Sequence, residues 1–135
     1  MREVFADTSY WIALLSARDE LHAKATNLSL EFVNAHIVTS EMVLIEVLNG
    51  FSEKPASWRL AAAKLAGDIL HSSSIEVVPQ EGLFEQALAR YRDFADKKWS
   101  VTDCASFLIM ETHGIKAALT YDHHFTQAGF QALMR

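Results

Sequence analysis

The chain has 135 residues, enough for one domain that buries roughly two-thirds of its unfolded surface. Half of the residues are apolar, a fifth are charged, and glycine and proline number only five and two, which excludes disorder, collagen-like repeats and low-complexity linkers. A net charge of -5 argues against simple electrostatic attraction to nucleic acid, and the single cysteine, Cys104, excludes an internal disulfide and a cysteine-based zinc knuckle.

Short β-rich segments are expected at 3–6, 36–39, 75–78 and 117–121, with a further one at 130–134. Between them, 9–17, 21–35, 41–48, 58–70, 83–95 and 102–113 read as helices, followed by a short helical turn near His124. No repeat or linker interrupts the pattern, so one domain over 1–135 is expected. Strict alternation of strand and helix implies a parallel sheet covered on both faces, with ligands gathering beyond the carboxyl ends of the strands. The longest early apolar run, Tyr10 to Leu15, is far below the ~18 residues of a membrane span, so neither leader nor anchor is expected and a reducing, cytoplasmic setting is the natural one.

Four acids carry the chemical argument. Asp7 directly follows the first β segment and Asp122 directly follows a late one, so both carboxylates are expected on the same rim. Glu46 lies in Met42-Val43-Leu44-Ile45-Glu46-Val47-Leu48, a helix expected to be buried nearly all round, where an unpaired carboxylate costs several kcal/mol. Asp103 opens the apolar helix that begins at Thr102. Asp7, Asp103 and Asp122 all stand at junctions where Asp also serves as a helix cap, whereas Glu46 does not. A shared hard-cation site is the more economical account, and oxygen donors without Cys or His suit Mg²⁺ or Mn²⁺. Such a site favours phosphodiester hydrolysis. Thr8, Ser9 and Thr120 stand beside these acids as cap hydroxyls or as groups that orient water or phosphate, and Ser9 is taken as the candidate substrate contact.

The motifs Asp7-Thr8-Ser9, Glu46 after Val38-Thr39-Ser40, Trp99-Ser100-Val101-Thr102-Asp103-Cys104-Ala105-Ser106-Phe107, and Ala118-Leu119-Thr120-Tyr121-Asp122-His123-His124-Phe125 with Ala128-Gly129-Phe130 span essentially the whole chain. Together they resemble the PIN domain, especially the VapC-type toxin ribonucleases. The resemblance implies a three-layer α/β/α sandwich on a parallel sheet and an acidic centre binding Mg²⁺ or Mn²⁺, with Asp7, Glu46, Asp103 and Asp122 at the family's acidic positions. It also implies RNA cleavage by in-line attack of water, leaving a 5′-phosphate and a 3′-hydroxyl. A homodimer and a cognate antitoxin protein encoded beside the toxin are the implied partners. The chain departs from many relatives at His123, where they carry a basic residue.

Arg90, Arg92, Lys97 and Lys98 cluster around Tyr91, Phe94 and Trp99, a composition that fits a phosphate-contacting rim with a stacking surface, with Arg92 and Lys98 as candidate RNA contacts. Alternation with Asp93 and Asp96 fits a solvated helix end equally well. His123 and His124 are about 100° apart on a helix and have no third ligand at zinc-like spacing, while His22, His36, His71 and His113 are scattered and read as surface or cap residues. Cys104 reads as a small buried apolar residue. Trp11, Trp58 and Phe32 read as core, with a dimer face or an antitoxin groove as the alternative. The competing functional reading is a non-catalytic PIN-fold module that binds RNA or protein, its acids serving only as caps. A phosphatase pattern would want a second Asp where Ser9 stands, and a receiver pattern would want paired early acids.

Overall fold

The structure, a computed structural model, describes residues 2–135. In chain order it comprises β1 (Glu3–Ala6), α1 (Thr8–Leu15), α2 (His22–Glu31), β2 (His36–Ser40), α3 (Glu41–Gly50), α4 (Ala56–His71), β3 (Ile75–Val78), α5 (Leu83–Asp93), α6 (Val101–His113), β4 (Ala117–Leu119), α7 (His123–Gln127) and β5 (Gln131–Ala132). The strands form one sheet in the order β3-β2-β1-β4-β5, and every pairing is parallel. Parallel strands need crossovers, and the helices that supply them cover both faces, giving the covered parallel sheet expected from the alternation and the α/β/α sandwich that the resemblance implies. The central strand shows the consequence: Val4, Phe5 and Ala6 are all fully buried, on both sides of the pleat.

The strand order places the functional crevice. From β1 the chain winds outward to β2 and β3, then returns to lay β4 on the other side of β1. Neighbouring connections therefore leave in opposite directions between β1 and β4, the switch point at which open α/β sheets bind ligands. There the amide of Asp7 donates to the carbonyl of Leu119 at 3.1 Å, locking the two strand ends together.

Local sequence accounts for the helix boundaries near that crevice. Ser40 caps α3 by accepting from the amide of Val43 at 3.1 Å. Ser100 and Asp103 form a reciprocal capping box on α6, and Gly114, at φ 68°, ends that helix in the left-handed region. Arg90 of α5 grips both carboxylate oxygens of Glu111 on α6, one of them at 2.9 Å, so it is spoken for and is not a free phosphate contact.

Three expectations need correction. The segments expected as strands over 117–121 and 130–134 shrink to Ala117–Leu119 and Gln131–Ala132, because the backbone turns after Leu119 to present Thr120 and Asp122. The helix around Glu46 is not buried all round: Ile45 and Leu48 are 47% and 37% exposed and Glu46 is half-buried, since α3 packs inward only through Met42, Val43, Leu44 and Val47. Apolar composition here marks an exposed apolar strip rather than a fully enclosed helix. Trp11 and Phe32 are core residues, whereas Trp58 is half-buried, stacked on Phe51 with ring centroids 5.9 Å apart.

Candidate active site

Asp7 occupies the N-cap position of α1, yet its side chain makes no capping hydrogen bond. Its carboxylate turns instead to the crevice, where Oδ2 accepts from the hydroxyl of Thr120 at 2.8 Å. The preceding carbonyl, that of Ala6, is held by the Thr39 hydroxyl at 2.8 Å, and Thr39 Oγ1 in turn accepts from the indole of Trp11 at 3.3 Å. Asp7 is 4% exposed. Burial pushes its carboxyl from 3.8 up to about 7, and the charges of Asp103 and Glu46 add to the rise against the opposing contacts of Thr8 and Thr120.

Thr120 is the hub of the polar network. Its single proton goes to Asp7, so its oxygen accepts from the amide of Asp122 at 3.0 Å and from the hydroxyl of Ser9 at 3.2 Å. Ser9 Oγ also accepts from the amide of Tyr121 at 3.1 Å. Ser9 is thus committed to bracing the β4 end and is not placed as a free substrate contact. The neighbouring Thr8 hydroxyl is, among the described residues, the one buried side-chain polar atom left without a partner. An orphaned hydroxyl directly beside Asp7 costs stability unless a water or ligand group meets it.

Asp103 and Asp122 are both caps and more than caps. Asp103 Oδ2 accepts from the Ser100 amide at 3.1 Å in the capping box and from His124 Nδ1 at 2.9 Å. Burial raises the Asp103 carboxyl, and the charge of Asp122 adds to this, opposed by the Ser100 amide and by His124. Asp122 Oδ1 accepts from the amide of His124 at 2.9 Å and lies 3.3 Å from His124 Nδ1. The four acids therefore form one electrostatic chain, Glu46 and Asp103 acting on Asp7 and Asp122 acting on Asp103. They come from α3, the β1–α1 junction, α6 and the β4–α7 junction.

His124, to which the sequence assigns no role, bridges Asp103 and Asp122 across 21 residues of chain. The fold also supplies what local spacing lacks: potential ligand atoms of Asp122, His123 and His124 lie within 4.8 Å of one another. Two of those three residues already serve other contacts, His124 bonding Asp103 and Asp122 capping α7. We therefore assign the group to the margin of the acidic centre rather than to a separate zinc site. The only local signal for His124 is its place two residues after Asp122.

Next to the capping box a cleft of about 600 Å³ is lined by Tyr91, Arg92, Ala95, Lys97, Lys98, Trp99 and Ser100. Arg92 and Lys98 are both exposed here, and Arg92 pairs with its neighbour Asp93. Trp99 is not free to stack: it is 9% exposed, with its indole N–H donating to Gln127 at 3.1 Å. Tyr91 is the exposed ring of the cleft. The overall negative charge thus coexists with a local basic surface that adjoins Asp103 through Ser100.

A family model described as the PIN domain matches residues 4–131. Among curated proteins the chain is 32% identical, over 94% of its own length and 95% of the relative's, to the 23S rRNA-specific endonuclease VapC20 of Mycobacterium tuberculosis, with the same values in two strains. Among solved structures it is similar to the crystal structure of M. tuberculosis VapC20, described as a sarcin–ricin loop cleaving toxin, with a TM-score of 0.81 and 30% identity over 94% of this chain and 95% of that one.

Proposed function

The chain belongs to the PIN-domain family, among the VapC-type toxin ribonucleases, and from that premise we propose that it hydrolyses RNA phosphodiester bonds with a divalent cation held by Asp7, Glu46, Asp103 and Asp122. The observation that carries this reading is Asp7: a buried, non-capping carboxylate pushed up to about 7 with two further acids acting on it. A protein keeps such a crowd at a cost in stability, and a cation is the partner that offsets it. All-oxygen donors fit Mg²⁺ or Mn²⁺, and the buried, unpartnered Thr8 hydroxyl stands in the chain directly after Asp7. When bound, such an ion supplies charge stabilisation at the phosphoryl oxygens and acidifies water.

The chain's own residues do the positioning. Thr120 fixes the rotamer of Asp7, the capping box and His124 fix Asp103, and the α7 cap fixes Asp122. Held on strand ends and helix starts rather than on a loose loop, the carboxylates need little rearrangement when substrate arrives. Arg92 and Lys98 meet the phosphates of the flanking strand, and Tyr91 offers a face to a base. In this reading the protein is the toxin of a type II toxin–antitoxin pair, a cytoplasmic homodimer restrained by its antitoxin.

The test is cleavage of an RNA panel that includes the sarcin–ricin loop of 23S rRNA, the substrate class named for the similar toxin. Cleavage is expected with Mg²⁺ or Mn²⁺ and is expected to vanish with chelator. Because Asp103 and Asp122 do serve as caps, the competing reading is a scaffold that binds RNA without cutting it. RNA binding with no cleavage of any panel member and no cation uptake would favour that scaffold.

A second expected result concerns the cleft. Reversing Arg92 and Lys98 together to Glu leaves the core untouched and should weaken RNA binding about tenfold, with the dependence of log K on log salt shallower by roughly one to two. Binding titrations at several salt concentrations read both numbers, and an unchanged salt slope would place the RNA elsewhere.

A further inference from the structure

Tyr121 stands between Thr120, which holds Asp7, and Asp122, and it lines a cavity that the proposed cation does not use. Arg18, Asp19, Glu20 and Leu21, from the segment that joins α1 to α2, line the rest of it. Its volume of about 360 Å³ gives room for one nucleobase. The Tyr121 wall is held from two sides. Its amide donates to Ser9 Oγ at 3.1 Å, its carbonyl accepts from Arg135 Nη1 at 2.8 Å, and the Arg135 guanidinium lies 4.8 Å from the centre of its ring. With Arg135 against it, Tyr121 is still 45% exposed. The other wall is a hydrogen-bonded turn built on Asp19, whose amide donates to the Ser16 carbonyl at 3.0 Å, whose Oδ1 accepts from the Leu21 amide at 2.8 Å and whose carbonyl accepts from the His22 amide at 3.0 Å. Asp19 is engaged in that turn, whereas Arg18 and Glu20 are exposed.

The chemistry of this lining selects its ligand. Two carboxylates against one arginine repel a phosphate, so the cavity is no seat for the RNA backbone. An exposed tyrosine ring offers stacking to any base. Discrimination then falls to the exposed polar groups beside it, a carboxylate that only accepts and a guanidinium that only donates. Guanine alone among the four bases presents two adjacent N–H donors, N1–H and the N2 amino group, with an acceptor, O6, next to them. Adenine and cytosine each set one amino donor beside a bare ring nitrogen, which a carboxylate repels, and uracil has a single N–H between two carbonyls. A carboxylate that takes both donors of guanine, with an arginine at O6, satisfies every group on that edge.

We infer that Tyr121, Glu20 and Arg18 form a guanine-selective subsite for an unpaired nucleotide of the RNA, the base stacking on Tyr121 while Glu20 accepts from N1–H and N2–H and Arg18 donates to O6. The inference rests on the nuclease reading for the place of the cut, which falls near the bound guanine because Tyr121 directly precedes Asp122. A base enters such a cavity only when it is unstacked, so the subsite selects loops, bulges and single strands over duplex. The basic cleft adjoins Asp103 through Ser100 and this subsite adjoins Asp122 through Tyr121, so the two take different parts of one strand. The cleft supplies affinity for phosphates, and the subsite supplies the choice of base.

Fluorescence anisotropy at low salt with chelator present, where binding is read without hydrolysis, tests this on a short oligouridine RNA carrying one guanine and on the same RNA with inosine or adenine in its place. Inosine lacks only the N2 amino group. Wild type is expected to bind the guanine RNA about tenfold more tightly than either of the others. Glu20→Ala should bind guanine and inosine RNAs alike, Tyr121→Ala should weaken all three about tenfold, and Tyr121→Phe should restore them. Circular dichroism of each variant separates a lost subsite from a lost fold. Wild type that binds the three RNAs alike or binds none of them, or a folded Glu20→Ala protein that keeps the full preference for guanine, overturns the subsite. Cleavage of the same RNAs with Mg²⁺ or Mn²⁺ is read separately. Guanine preference without cleavage keeps the subsite and removes the nuclease reading, whereas cleavage indifferent to the base does the reverse.

Discussion

Asp103→Asn should reduce RNA cleavage by more than about 100-fold, since even the outer partners of metal-ligating groups are worth 10–100-fold. The substitution removes the charge but keeps an acceptor for the Ser100 amide, so the capping box that opens α6 can persist. Asp103→Ala is the informative companion. It loses the charge and the cap together, so a further stability loss of about 1 kcal/mol is expected in addition to the same loss of activity. Single-turnover cleavage of both variants, with their melting temperatures, separates the two roles of the residue. An Asn variant that cuts within a few-fold of wild type would remove Asp103 from the proposed cation site and leave it a cap.

Asp7 should show the opposite pairing of effects, a more stable protein that does not cut. The carboxyl ionises near 3.8 in the unfolded chain and near 7 in the folded, cation-free one. Below the lower value both states hold the proton and pH has no effect through this group. Between the two, the folded state keeps a proton that the unfolded state has released, so stability falls as pH rises, by up to about 1.4 kcal/mol per unit. Above pH 7 the penalty is complete, on the order of 4 kcal/mol. Asp7→Asn, which retains an acceptor for Thr120, should therefore melt about 10–15 °C higher than wild type at pH 8 without cations. The difference should close toward pH 4. Millimolar Mg²⁺ or Mn²⁺ should raise the wild-type Tm at pH 8 and leave Asp7→Asn nearly unmoved. A wild-type protein whose metal-free stability is flat between pH 4 and 8 would show that the carboxylate is not held in the dry, crowded setting described here.

Much of this architecture is written locally. The β-rich tetrapeptide before Asp7 and the capping pair Ser100 and Asp103 announce their elements within a few residues, because strand and helix periodicities and caps are short-range properties. Strict alternation of strand and helix then leaves a parallel sheet as the economical solution, and a parallel sheet places residues that follow strands on one rim. Asp7 and Asp122 were legible for that reason, as was the family resemblance carried by the segments around them.

What the tertiary structure alone decided lies in contacts between distant segments. The choice between Ser9 and Thr8 turns on Thr120, more than a hundred residues away, which recruits the first hydroxyl and leaves the second unpartnered. Arg90 looks as free as Arg92 in the sequence, yet α5 packs on α6 so that Glu111 captures it. Glu46 stands in an apolar heptapeptide, but only packing reveals that Ile45 and Leu48 face outward. His124 meets Asp103 across 21 residues, and His113 meets Glu76 across 37. Sequence periodicity records which face of an element is apolar. Which element that face meets, and which side chains are drawn together at the two ends of the sheet, follows from the strand order β3-β2-β1-β4-β5, a property of the whole chain and not of any window within it.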